Sequence, residues 1–238
     1  MTGKQTRNLV RGALVGAVAG YFWAKRAGKL PGQSGFLFRI PLPWLAFDDQ
    51  VSNHWPFFVA AVAGYVAFGL YWEVAGKNAA PSKRTESTAS RGVHVALTNV
   101  ALLMEIVTIR GLGRFTPALP LIMTAGLAIE AAGVALAIWA RRHLGRNWSG
   151  RIAIKEGHEL VQSGPYQFLR HPIYTAILAM YAGLALVTGE WLGVAGFAMV
   201  LLAYWRKIRL EEAALDKAFG PAYGAYRRET WALVPWVL

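Results

Sequence analysis

A polar dodecapeptide ahead of an apolar stretch carries most of the residues that could do chemistry. Residues 163–174 read Ser-Gly-Pro-Tyr-Gln-Phe-Leu-Arg-His-Pro-Ile-Tyr. The Gly-Pro pair predicts a turn, and Pro172 suits the first position of a helix, where its missing N–H costs nothing. Arg170, His171 and Tyr174 are therefore expected at a helix N-terminus on the membrane surface, where unpaired N–H groups favour anionic ligand groups. A simple interfacial anchor is the alternative, because these residue types are common where spans end.

Two adjacent carboxylates, Glu211 and Glu212, follow the last apolar stretch of the chain. They come after Lys207 and Arg209, so ion pairs at i,i+4 and i,i+3 along one helix surface are one interpretation. The last two apolar stretches are joined only by residues 188–190, which predicts an antiparallel hairpin. Because a hairpin would return the carboxylates to the dodecapeptide, a shared functional site is the other interpretation.

The composition is that of a polytopic membrane protein. The 238 residues are 55% hydrophobic and 16% charged, with a mean hydropathy of +0.33, and a membrane-spanning helix needs about 20 mostly apolar residues. The sequence shows no period-two alternation long enough for a sheet, so the predicted fold class is all-α, a polytopic membrane helix bundle. About six transmembrane helices are expected, at residues 10–24, 55–72, 93–109, 117–140, 172–188 and 190–205.

The lysines and arginines are distributed unequally between the two sides of this predicted bundle. One side, which includes both chain ends, carries 19 of them and the other carries 6. Because basic residues are retained in the cytoplasm, both termini are predicted to be cytoplasmic. The net charge of +12 is explained by this topology and by attraction to anionic membrane lipids. No nucleic-acid-binding motif accompanies it, so no nucleic-acid partner is expected.

The chain is predicted to have two regions. Residues 1–115 hold about three spans, an interfacial segment at 29–50 that is rich in aromatic residues and proline, and a polar loop at 76–92. Residues 116–238 hold the remaining spans together with the dodecapeptide and the paired carboxylates.

Several kinds of site are excluded. The sequence contains no cysteine, which excludes disulfides, thiolate metal sites and cysteine catalysis. It also lacks a Rossmann glycine motif, a P-loop, a serine elbow and a zinc motif, so no metal site is predicted. Glu105 and Glu130 lie inside predicted spans, where a carboxyl group is costly, so each is expected to face the bundle interior or an aqueous cavity. Both are functional candidates without an assigned role.

The motifs of the C-terminal region occur in an order that resembles the isoprenylcysteine carboxyl methyltransferase family, which is related to membrane phospholipid methyltransferases. The resemblance covers about residues 140–235. The matching motifs are Leu-Gly-Arg-Asn-Trp-Ser (144–149), Gly-His-Glu-Leu-Val (157–161), Gly-Pro-Tyr (164–166), Arg-His-Pro-Ile-Tyr (170–174), Glu-Glu (211–212) and Phe-Gly-Pro-Ala-Tyr-Gly-Ala-Tyr (219–226).

This resemblance implies an S-adenosyl-L-methionine-dependent methyltransferase with a cytoplasmic cofactor pocket in its C-terminal half and a lipid-like or lipidated acceptor that enters from the bilayer. Arg170 would lie near the reacting group, and Glu211 and Glu212 would close the pocket from the last span. The residues implied to bind the cofactor are His158, Leu160, Val161, Gly164, Tyr166, His171, Tyr174 and Glu212.

The acceptor is left open by the sequence. A carboxylate acceptor needs a cation to orient it, for which Arg170 is suited. An amine acceptor must lose a proton, which favours a nearby carboxylate such as Glu211 or Glu212, although these could equally bind hydroxyl and ammonium groups of the cofactor.

Two other functions compete with a methyltransferase. One is a membrane NADPH-dependent reductase of the sterol-reductase type, whose C-terminal region has a similar layout. The other is a non-catalytic membrane protein, such as a transporter or an assembly factor. The combined Gly-Pro-Tyr, Arg-His-Pro-Ile-Tyr and Glu-Glu motifs favour the methyltransferase.

Overall fold

A computed structural model describes residues 55–77, 86–107, 112–150, 152 and 159–235. These residues form six α-helices and two short 3₁₀ helices, and no β-strand forms within these ranges, as the all-α prediction requires. The helices are α1 (Trp55–Gly76), α2 (Thr88–Ile106), α3 (Pro120–Leu144), α4 (Pro172–Thr188), α5 (Trp191–Phe219) and α6 (Pro221–Glu229). The 3₁₀ helices are Gly145–Asn147 and Gly164–Gln167.

Three of these helices are long and apolar enough to cross a membrane, so by length and composition the chain is an integral membrane protein. They are Pro56–Gly76, Pro120–Asn147 and Trp191–Phe219, which correspond to three of the predicted spans. α4 is apolar but has 17 residues, and α2 is less apolar. The predicted span at 10–24 and the segment at 29–50 lie outside the described residues, so the count of six spans stays a prediction.

α3 and α4 pack with their backbones close together because small residues face each other. A Cβ atom added to Gly126 of α3 would meet the carbonyl oxygen of Gly183 of α4 at 2.6 Å, and one added to Gly133 would meet that of Ala176 at the same distance. Small residues at helix contacts permit this approach inside a membrane. The glycines therefore fix the position of α4, whose N-terminus carries the dodecapeptide.

The hairpin predicted from residues 188–190 is confirmed. α4 ends at Gly189, which adopts the left-handed conformation with φ +68 that glycine tolerates, and α5 begins two residues later. α5 has 29 residues and is thus roughly 43 Å long, whereas the hydrocarbon core of a bilayer is about 30 Å thick. Its polar C-terminal part therefore extends past the membrane beside the N-terminus of α4.

The C-terminal segment after α6 packs against the dodecapeptide. The backbone N–H of Arg170 donates to the carbonyl oxygen of Trp231 at 2.8 Å, and that of His171 donates to Ala232 at 3.1 Å. The Thr175 hydroxyl donates to the carbonyl oxygen of Leu233 at 2.6 Å. These bonds satisfy donors at the start of α4, where a helix leaves its first N–H groups without an internal partner.

Glu105 and Glu130 are both buried in the bundle, as predicted. Glu130 of α3 packs against Gly64 of α1 and Gly183 of α4, and Glu105 of α2 packs beside Gly196 of α5. Neither carboxyl group has a hydrogen-bond partner among the described residues.

Candidate active site

An open pocket lies where the end of α1, the start of α4, the polar part of α5 and α6 meet. Its volume is about 1150 Å³, counting the part that is open to solvent. The loop after α3 and residues 159–161 form its remaining walls. The hairpin and the C-terminal segment thus bring stretches from distant parts of the sequence around one cavity.

Most of the site residues predicted from the sequence lie around this pocket. Gly164 and Glu212 are not part of its lining within the described residues, and His158 lies outside those residues. The predicted residues that line it are Leu160, Val161, Tyr166, Arg170, His171, Tyr174 and Glu211.

Glu212 is held by basic side chains that come from other elements. Its Oε1 atom accepts a hydrogen bond from Nε of Arg170 at 2.8 Å and lies 3.4 Å from Nε2 of His171. Nε of Arg227, on α6, forms a longer ion pair with Oε2 of Glu212 at 3.9 Å. The side chains of Arg170 and Glu212 are only 10% and 13% exposed, so little water competes for this pair. The carboxylate therefore ties α5 to the start of α4.

Arg170 is bound on two of its three guanidinium nitrogens. Nη1 donates to the carbonyl oxygens of Arg227 and Thr230, and Nε is taken by Glu212. A two-point contact with a carboxylate ligand uses two adjacent nitrogens. Only Nη2 has no partner among the described residues, so Arg170 offers a ligand one free nitrogen.

Glu211 is the more accessible of the two glutamates, with 32% of its side chain exposed. Its Oε2 atom accepts a hydrogen bond from the Tyr174 hydroxyl at 2.5 Å and lies 3.8 Å from Nδ1 of His171. The rings of His171 and Tyr174 stack at 5.3 Å with only 5° between their planes, which confirms that residues three apart share this face. Glu211 therefore presents a positioned carboxylate to the pocket.

The intrahelical ion pairs that were one interpretation of the α5 charges are not found among the ion pairs of the described residues. Glu212 pairs with Arg170, His171 and Arg227, and Glu211 faces His171 and Tyr174. Both carboxylates thus point across to the start of α4, where Arg170, His171 and Tyr174 lie.

The Gly-Pro-Tyr turn shapes one wall of the pocket. Gly164 has φ +60 and packs against His143, where a side chain would collide, so its role is to form the turn. The Tyr226 hydroxyl donates to the backbone carbonyl of Tyr166 at 2.7 Å and so joins α6 to the turn. Burial raises the pKa of the Tyr166 phenol well above its ordinary value. Tyr166 is therefore uncharged at neutral pH.

Several lining residues were missed by the sequence analysis. Trp72 of α1 contacts Trp148 edge-to-face at 5.5 Å, and the guanidinium of Arg141 lies 4.5 Å from the ring centroid of Trp148. Nothing in the local sequence connects Trp72 with a motif more than 70 residues away. Tyr204 and Lys207 of α5 also line the pocket. They lie seven and four residues before Glu211, which places all three on one helix face, a signal that the sequence did contain.

Comparison with known proteins gives a partial match. Residues 121–222 match the phospholipid methyltransferase family. The chain is 36% identical over 118 residues to the cobalt-zinc-cadmium resistance protein CzcN of Cupriavidus metallidurans, which covers 49% of this chain and 50% of that protein. It is 30% identical over 115 residues to the protein-S-isoprenylcysteine O-methyltransferase of Schizosaccharomyces pombe, with 47% and 49% covered.

A plant relative and one solved structure extend this picture. Protein-S-isoprenylcysteine O-methyltransferase B of Arabidopsis thaliana is 31% identical over 115 residues, with 47% of this chain and 58% of that protein covered. The eukaryotic intramembrane Ras methyltransferase, an isoprenylcysteine carboxyl methyltransferase, aligns with a TM-score of 0.44 and 20% identity over 64% of this chain and 55% of that one. Similarity at that level does not establish a common fold.

The chain spans about half the length of the curated relatives it matches. The matched region contains the start of α4 and the carboxylates of α5. The resemblance predicted from the motifs is therefore confirmed: the C-terminal region of this chain is similar to the phospholipid and isoprenylcysteine methyltransferases.

Proposed function

We propose that this chain is an integral-membrane methyltransferase that uses S-adenosyl-L-methionine and a lipid-like or lipidated acceptor. The observation that carries the proposal is the convergence of Arg170, His171, Tyr174 and Glu211 around one pocket, with Glu212 paired to Arg170 beside it. The similarity of residues 121–222 to a methyltransferase family supports the same conclusion.

The chemistry of the pocket suits this cofactor. An adenine ring needs flat apolar walls, which Trp148, Val161 and Tyr166 provide. Ribose hydroxyl and ammonium groups need an accessible acceptor, which Glu211 provides. A sulfonium cation is favoured beside a carboxylate, which Glu211 provides. The bound cofactor supplies an already activated methyl group.

The chain's own residues would therefore act mainly by positioning. Transfer of an activated methyl group requires alignment with a nucleophile more than a strong acid or base. Glu212 and Arg170 hold α5 against the start of α4, and this contact sets the distance between Glu211 and His171. For an amine acceptor Glu211 is the available base, since Glu212 is committed to its ion pairs.

Lipid access is supported by where the pocket lies. Four residues line its apolar side, Trp72, Ile173, Ile177 and Tyr204. They belong to α1, α4 and α5, three of the apolar helices of the bundle. We infer that the acceptor reaches the site from the bilayer along this side.

The test is ligand binding to the full chain in detergent or nanodiscs. Isothermal titration with S-adenosylhomocysteine should show saturable binding, and NADPH should show none. A screen of membrane lipid extracts for transfer of a radiolabelled methyl group should then identify the acceptor. Binding of NADPH in place of S-adenosylhomocysteine would favour a reductase, and binding of neither would remove the cofactor-dependent functions.

A further inference from the structure

Lys207 is a cation in the pocket that is not paired with any carboxylate in the described part of the chain. It lies on the pocket face of α5, between Tyr204 and Glu211. Its Nζ atom is 5.4 Å from the ring centroid of Tyr174. That ring is a weaker partner for the ammonium group than a carboxylate would be.

The neighbouring cation in the pocket is already occupied. Arg170 gives Nε to Glu212 and Nη1 to two backbone carbonyl groups. Arg170 therefore offers a ligand anion one free nitrogen. Lys207 offers its ammonium group, whose contact among the described residues is with the Tyr174 ring. Lys207 is therefore the better placed of the two to bind an anionic group.

The proposed cofactor, on which this inference rests, carries a sulfonium, an ammonium and a carboxylate group. Its two cations are attracted by Glu211, and the depth of Lys207 along α5 favours the acceptor over the cofactor carboxylate as the source of the anion. Lys207 comes four residues before Glu211, so it lies about 6 Å nearer the membrane along α5. Tyr204, one turn further in, continues the same face towards the apolar side.

We propose that Lys207 binds an oxyanion of the acceptor and so selects acceptors that carry an oxyanion. Two sources share this chemistry: a carboxylate that itself receives the methyl group, and a phosphodiester next to an amine that receives it. In both cases the ammonium group donates hydrogen bonds to the oxyanion and holds the acceptor head at the apolar side of Glu211.

The experiment measures equilibrium binding of four probes to the purified full chain in nanodiscs. The first pair is S-farnesyl-N-acetylcysteine and its carboxamide, which lacks the negative charge. The second pair is a short-chain phosphatidylmethanol, a phosphodiester without an amine, and the matching diacylglycerol. The variants are Lys207→Gln, Lys207→Met and Lys207→Arg. Arg209→Gln is the matched control, because Arg209 is an exposed cation of the same helix outside the pocket lining.

Wild-type protein should bind the anionic member of one pair at least about tenfold more tightly than the neutral member, as expected for a charge-assisted hydrogen bond. Lys207→Gln and Lys207→Met should reduce this preference to about twofold or less, whereas Lys207→Arg and Arg209→Gln should keep it. The pair that shows the preference identifies the carboxylate or the phosphodiester as the source. Affinity for S-adenosylhomocysteine should stay within about threefold of wild type in every variant, which also reports that each is folded.

Three results would overturn the proposal. These are a preference that survives in Lys207→Gln, a wild-type protein that shows no preference in either pair, and a loss of S-adenosylhomocysteine affinity in Lys207→Gln. The last would place the anion on the cofactor. The methyltransferase assignment can fail separately. In that case the wild-type protein does not bind S-adenosylhomocysteine, and its preference within each pair of acceptor probes is still measured.

Discussion

The adjacent glutamates of α5 should respond in opposite ways to the same substitution. Glu212 is 13% exposed and accepts a 2.8 Å hydrogen bond from Arg170, whereas Glu211 is 32% exposed and faces the pocket. A hydrogen bond to a charged group contributes about 1.5–3 kcal/mol to stability, and a neutral one contributes about half of that. Glu212→Gln keeps an oxygen acceptor but loses the charge. We therefore expect it to lower the free energy of unfolding by about 1–2 kcal/mol.

Glu211→Gln keeps an acceptor for the Tyr174 hydroxyl but loses the charge of that hydrogen bond, in a side chain that is 32% exposed and therefore partly screened by solvent. We expect it to lower the free energy of unfolding by less than about 1 kcal/mol, and by less than Glu212→Gln does. It should nevertheless weaken S-adenosylhomocysteine binding by about tenfold or more, because a carboxylate that accepts from ligand hydroxyl and ammonium groups is lost. Glu212→Gln should weaken that binding by less than about threefold.

Reversible unfolding in mixed micelles, followed by tryptophan fluorescence, measures the free energy of unfolding. Isothermal titration measures the affinity for S-adenosylhomocysteine. A double-mutant cycle of Glu212→Gln with Arg170→Met isolates the pair. The double variant should lose less stability than the sum of the single variants, because each single variant leaves one charge unpaired. Equal effects of the two glutamate substitutions on stability, or strict additivity in the cycle, would refute the division of roles.

Two further predictions follow from the fold, and a third follows from the distribution of basic residues along the sequence. Gly126→Ala should destabilise the bundle by about 1–3 kcal/mol, because its Cβ would meet a carbonyl oxygen of α4 at 2.6 Å. Gly69→Ala, with nothing within 4 Å, should be neutral or slightly stabilising in the same unfolding assay. Glu130→Gln should change the unfolding free energy by less than about 1 kcal/mol, since a buried carboxyl group without a partner is held uncharged; a larger loss would indicate an ionic partner. A reporter fused after Leu238 should behave as cytoplasmic and one inserted in 29–50 as external, and the reversed pattern would exclude the predicted topology.

The sequence by itself determined the elements around the site. Pro172 starts α4 and Gly189 ends it because proline fits the first position of a helix and glycine adopts the left-handed conformation that follows the last. The short connection between α4 and α5 made the hairpin unavoidable, and with it the approach of Glu211 and Glu212 to Arg170. The ordered motifs were enough to predict the resemblance to a methyltransferase family.

Only the tertiary structure decided which partner each side chain takes. Glu211 and Glu212 are neighbours in sequence, but successive positions on a helix point about 100° apart, so the rotation of α5 against α4 sends one to the pocket and the other to Arg170. The presence of Trp72 in the pocket depends in the same way on how α1 packs beside α3. Helix rotation and depth are set by close contacts such as that between Gly126 and Gly183, which local sequence patterns do not contain.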